Sequence, residues 1–147
     1  MNNKKIIIPI IVLVMLIILT GYYAFTLREE YNNMKNNNYT EAFSNLVNYV
    51  NSIENYLAKA MISRSPTHAA ETLTHVWRDS NLAIVYLSRI PLENDGLSQT
   101  AKFLNQVSDY SYSLSKKNIS GTELKEEDFQ NLEQLYQYSL SLEETLN

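Results

Sequence analysis

The sequence predicts an all-α protein: an N-terminal transmembrane helix followed by an antiparallel up-down-up-down four-helix bundle. Three observations predict it. Ile6 to Phe25, read as IIIPIIVLVMLIILTGYYAF, is a run of 20 residues without a charge. Four later stretches place apolar residues three and four positions apart, the period of a helix packed on neighbours. Three glycines and three prolines in 147 residues are too few for the turns of a β fold.

A helix of the first length spans about 30 Å, the hydrocarbon thickness of a bilayer. Inside lipid each backbone polar group must be satisfied within the segment, so the run must be helical. Only Thr20 and Gly21 interrupt it, weakly. Pro9 falls in the first turn, where a missing N–H is tolerated. Lys4 and Lys5 keep the N-terminus inside, and Tyr22, Tyr23 and Phe25 close the far end as an interfacial belt. A cleaved signal peptide would also start with lysines and an apolar core. Cleavage after Ala24 puts Tyr22 at −3, cleavage after Gly21 puts Leu19 there, and the chain has no cysteine for lipoprotein processing. An interfacial helix would be apolar on one face, whereas this run is apolar on all. The chain thus divides into a cytoplasmic tip and anchor (1–25), a polar, helical stalk (26–39) with a break expected at Asn36-Asn37-Asn38, and an extracytoplasmic bundle (40–147).

The first bundle helix, Thr40 to Ser63, carries Phe43, Leu46, Val50, Ile53, Leu57 and Ala60, widened by Val47 and Met61. Ser65-Pro66 supplies an N-cap and a proline at the first helical position of the second helix. Ala69, Leu73, Val76, Ser80, Ala83, Leu87 and Ile90 form its stripe, flanked by Trp77 and Ile84, and Pro91 ends it. Asn94-Asp95-Gly96 marks a loop. The third helix, Ser98 to Lys117, buries Ala101, Leu104, Val107, Tyr110 and Leu114, with Lys116 and Lys117 at the negative end of its dipole. Ser120-Gly121 breaks the chain. The fourth helix, Glu123 to Leu146, carries Phe129, Leu132, Leu135, Ser139, Leu142 and Leu146. Short loops between long helices favour antiparallel neighbours. The chain stops at Asn147 within helical pattern, without a capping glycine or a polar tail, which reads as a cut rather than a natural finish.

Charge is unevenly placed. Of 12 basic residues Lys4 and Lys5 belong to the anchor region, leaving ten against 16 acids in 26–147, a net of −6. Residues 123–147 hold seven acids against Lys125, so the last helix carries the whole imbalance. No basic nucleic-acid surface is present. Zero cysteines exclude a disulfide framework, a thiolate metal site and a cysteine nucleophile. No GxSxG, HExxH or phosphate-cradling glycine loop occurs.

His68 and His75 share a helix face about 10.5 Å apart along the axis, too far for one metal ion. Glu71, His75 and Asp79 follow at four-residue intervals, the pattern of a solvated face with weak ion pairs rather than a metal site. Trp77, beside the core stripe, reads as a packing anchor. Tyr112 lies about 200° round the helix from Tyr110, and Tyr112 and Tyr86 are placed to face a partner. Asn38-Tyr39-Thr40 and Asn118-Ile119-Ser120 match the glycosylation pattern, relevant only to a eukaryotic secretory pathway. Catalytic, cofactor and metal residues: none is expected.

The stretches NNNYTEAFSNLVNYVNSIENYLAKAM, HVWRDSNLA, SRIPL, KFLNQVSDYSYSLSKK and NLEQLYQYS, behind an N-terminal anchor, together resemble the N-terminal region of the YpeB family of spore germination proteins. The resemblance covers essentially the whole chain. It implies a single-pass protein of the spore inner membrane, its bundle facing the cortex. It also implies a partner, the cortex-lytic enzyme SleB, each needing the other to be present in the spore. Family members continue into PepSY-type domains that this sequence lacks, and Lys125 stands where a capping Ser or Thr would be natural. No functional residue is carried over from the family. The expected function is non-catalytic binding and stabilisation of the hydrolase, with homodimer formation compatible. The alternatives are a receptor-type bundle sensing a small ligand, which lacks a second transmembrane helix, and a hydrolase, which lacks a site.

Overall fold

In the computed structural model the described residues are 4–91 and 95–146, with side chains described for 13–91 and 98–146. Their regular structure is entirely helical, with no strand among the described residues: α1 Lys4–Ile62, α2 Pro66–Leu87, α3 Asp95–Ile119 and α4 Glu126–Leu146. Two compact units are distinguished, Met1–Asn38 and Tyr39–Asn147.

The expected break at Asn36-Asn37-Asn38 is absent, and α1 runs through it as one helix of 59 residues. Asparagine in a helix interior costs roughly 0.5 kcal/mol per residue relative to alanine. Without a proline to remove an N–H, three such penalties do not stop the helix. In the first unit every described side chain is exposed except the half-buried Thr26. The Thr20 hydroxyl donates to the Leu16 carbonyl at 2.7 Å, and Thr26 to Tyr23 at 3.0 Å, so these polar groups are satisfied within the helix. Among the described residues no helix is long and apolar enough to cross a membrane. The expected span begins at Ile6, and its residues up to Val12 lie outside those whose side chains are described.

In the second unit the apolar stripes meet in one core. Leu46, Ile53 and Leu57 of α1, Leu73, Val76 and Ala83 of α2, Leu104, Val107 and Leu114 of α3, and Leu132 of α4 are each fully enclosed. Phe43, expected inside, is 41% exposed, and Ala42 takes its place. The run 42, 46, 50, 53, 57, 60 keeps α1 in phase with the core, and position 43 falls a step outside it. Phe103 joins the core as well, with the half-buried Ala101 packed against it.

Helix ends explain the other boundary shifts. Ser65 caps α2, accepting from the His68 N–H at 3.4 Å with Pro66 in the first turn. α2 ends at Leu87 rather than near Pro91, and Ser88 and Arg89 close a turn onto the Ile84 and Tyr86 carbonyls. Asp95 and Gly96, expected in a loop, already belong to α3, while Asn94 lies outside the described residues. At the far end Gly121 takes φ 74°, the left-handed conformation that lets Thr122 N–H reach back to the Lys117 carbonyl at 2.9 Å. α4 starts at Glu126, not Glu123.

Contacts between consecutive helices run in reversed order. Tyr49 meets Tyr86 and Tyr56 meets His75 across α1 and α2. Thr74 meets Ser115 and Asn81 meets Ser108 across α2 and α3. Tyr110 meets Asn131 and Phe103 meets Tyr138 across α3 and α4.

Candidate interaction surface

At 100° per residue, burying Leu73, Val76, Ser80, Ala83 and Leu87 turns Glu71, Thr74, Arg78, Asn81 and Val85 of α2 outward. Aromatic pairs border this outer face on both sides. Toward α1, Tyr49 stacks on Tyr86 with centroids 5.6 Å apart, and Tyr56 on His75 at 5.0 Å. Toward α3, Trp77 leans on Tyr112 at 5.4 Å.

Each pair carries a cation. Arg89 lies over Tyr86 at 4.9 Å, Lys59 over Tyr56 at 5.3 Å and Lys116 over Tyr112 at 5.0 Å. All three cations sit three or four residues after their tyrosine, so one turn of helix brings each back over its ring. The spacing was legible in the sequence, although the stacks between helices were not. Such pairs contribute about 0.5–1 kcal/mol each at exposed sites. Trp77 is 39% exposed and Tyr112 46%, so the tryptophan packs beside the core stripe as half of a surface pair. Tyr112 faces outward as expected, and Tyr86 is half-buried in its stack.

Arg78 Nε donates to Asp79 Oδ1 at 2.7 Å. That hydrogen bond, against the opposing effect of burial, holds the guanidinium above its ordinary pKa, with the Tyr56 hydroxyl adding to it. Asp79 is 2% exposed, so the pair neutralises an otherwise costly buried carboxylate. The residues weighed for a metal are thereby dispersed. His68 Nδ1 sits 3.8 Å from Glu71, His75 is stacked on Tyr56, and Asp79 is taken by Arg78. Among the described residues no three His, Asp or Glu side chains converge.

A second polar centre joins α3 to the start of α4. Asp128 Oδ1 accepts from Lys117 Nζ at 2.9 Å and from the Tyr110 hydroxyl at 3.2 Å. Its Oδ2 accepts from the Lys125 N–H at 2.9 Å. The last bond is one half of a capping box, made from the third helical position back to the cap. It resolves the absence of Ser or Thr at 125. Burial alone would raise the Asp128 pKa, but the Lys117 and Lys125 bonds outweigh it and hold the carboxyl below its ordinary value. Tyr110 is raised, first by burial; the bond donated by Asn131 acts the other way and is outweighed. Lys117 is raised, chiefly by its bond to Asp128.

Beside this centre a groove of about 510 Å³ opens between α3 and α4, lined by Gln106, Asp109, Tyr110, Ser113, Asn131 and Gln134. It adjoins a second hollow with Lys102, Phe103 and Tyr138, the two rings 4.4 Å apart. The surface chemistry is that of contact: stacked rings, cations, amides and hydroxyls.

The YpeB N-terminal family matches residues 27–147. The chain is similar to the sporulation protein YpeB of Halalkalibacterium halodurans, 28% identical over 133 residues covering 88% of this chain and 30% of the relative. It is 27% identical to sporulation protein YpeB of Bacillus subtilis, over 95% of this chain and 32% of that one. The protein of the same name in Oceanobacillus iheyensis is 24% identical over 86% and 28% of the two chains. The chain thus spans about a third of the length of these curated relatives. No solved structure matches it. With residues 27–147 matched throughout, the chain belongs to the YpeB family and carries its N-terminal domain.

Proposed function

We propose that the chain is a non-catalytic spore germination protein, anchored in the spore inner membrane by Ile6 to Phe25, that binds and stabilises the cortex-lytic enzyme SleB. The observation that carries this reading is the match of residues 27–147 to the YpeB N-terminal family, together with the similarity to relatives named sporulation proteins. In this reading α1 begins as a single-pass span with its N-terminus inside. The second unit is an up-down-up-down four-helix bundle facing the cortex. The uncharged run and Lys4-Lys5 support the anchor, and the reversed order of contacts supports the bundle. The function is contact: a bound partner is withdrawn from unfolding and proteolysis by mass action.

The groove between α3 and α4 favours a second reading, a bundle that senses a small ligand. Deleting the gene and restoring only this chain separates the two. Spores of the deletion strain should lose the hydrolase protein while keeping its transcript. Restored chain that brings the hydrolase back supports contact through this domain. A folded, present chain that restores nothing refutes it, as does purified chain that digests cortex peptidoglycan unaided.

A further inference from the structure

We infer that the outer face of α2 docks onto α4 of a second copy of this chain. Two surfaces of the same molecule complement each other in charge. The face on α2 presents Arg78, which also pairs with the buried Asp79, and is ringed by Arg89 in the turn after the helix, Lys59 on one flank and Lys116 on the other, all four exposed and set against Glu71 on the same face. α4 contains no basic residue at all, and exposes Glu126, Glu127, Glu133 and Glu144.

Glu133 and Glu144 of α4 are eleven residues apart, about three helical turns, so both carboxylates lie on one side of that helix about 16 Å apart.

The α4 carboxylates gain from such a neighbour. Glu144 lies in the last turn, where the helix dipole is negative, and no cation is there to offset it. The α2 face contributes more than charge. Trp77, Tyr112 and Val85 are 39%, 46% and 45% exposed. Tryptophan, tyrosine and arginine are the side chains that most often anchor protein interfaces. Seating α4 beside them adds apolar burial to the ion pairs, which alone would be screened.

Made once between two copies, the contact is head-to-tail. It leaves a free α2 face on one copy and a free α4 on the other, so association continues past a pair unless the ring closes. Gln134 and Tyr138, which line the groove, lie about 100° or more from Glu133 around α4. The groove therefore stays open for another protein, and self-association is independent of the hydrolase.

The test is charge exchange in the full chain, held in detergent micelles and followed by sedimentation velocity. The wild type should self-associate, and more weakly as salt rises. Arg89→Glu with Lys116→Glu should weaken association by about tenfold or more, as should Glu133→Lys with Glu144→Lys. Mixing the two variants should restore it, since each then offers the charge the other needs. A zero-length carbodiimide on mixed light and heavy-isotope chains should join Lys59 or Lys116 of one to a glutamate of α4 in another. The inference is overturned if the wild type is monomeric at every concentration. It is equally overturned if association survives both charge reversals, which would place it in the apolar first helix, or if the mixed variants, each helical by circular dichroism, do not combine.

Discussion

Replacing Asp128 by alanine removes three accepted hydrogen bonds at once, from Lys117, Tyr110 and the Lys125 N–H. Loss of a helix-capping side chain costs about 1 kcal/mol. The half-buried Tyr110 hydroxyl keeps Asn131 as a donor and a long 3.5 Å bond to the Asp128 carbonyl but loses its carboxylate acceptor, which adds at most about another 1 kcal/mol. The exposed Lys117 ammonium finds water instead. A destabilisation of about 2 kcal/mol in a unit of this size lowers Tm by about 8 °C. The pH dependence identifies the cause. Asp128 is held below its ordinary value of 3.8, so its contribution is present above that pH and lost as pH falls through the depressed value. Lys117 is held above 10.5, so at the alkaline end the pair survives until pH passes that raised value. Melting followed by circular dichroism should therefore show a wild-type advantage constant from about pH 5 to pH 9 and shrinking toward pH 2. Asp128→Asn, which keeps an acceptor, should lose less. An Asp128→Ala variant within about 0.5 kcal/mol of wild type at pH 7, or a gap as wide at pH 2, would refute the cap and ion-pair account.

Leu57→Asp or Leu104→Asp, each at a position with no exposed surface, puts an unpaired charge in the core and should cost several kcal/mol. Melting curves unmoved by both would mean these stripes are not the core. Glu54 of α1 bonds to Glu143 of α4, and burial first, then that bond and the repulsion, raise its pKa above 4.5. Its favourable contribution is complete below that value and is lost as pH rises through the raised one. Glu54→Gln should therefore gain on wild type between pH 4 and pH 8, and a gap in Tm that stays constant over that range contradicts the pairing.

The sequence by itself determined what is local. The period of its apolar residues specifies four helices and most of the core, because a helix needs only its own backbone and a face to bury. Ser65-Pro66 announced the start of α2, and Gly121 the reversal after α3, because caps act within one turn. Residue type alone misjudged Asn36-Asn37-Asn38 and Asp95-Gly96, since weak propensities do not decide a boundary. Tertiary structure decided what depends on register between helices. Trp77 lies against Tyr112, and not in the core, because α2 and α3 meet with Asn81 beside Ser108. Asp128 becomes a cap and a hub because α4 starts three residues late, beside Tyr110 and Lys117. A shift of one residue on either helix turns a side chain by about 100°, so no pattern along one strand of sequence can specify these pairs.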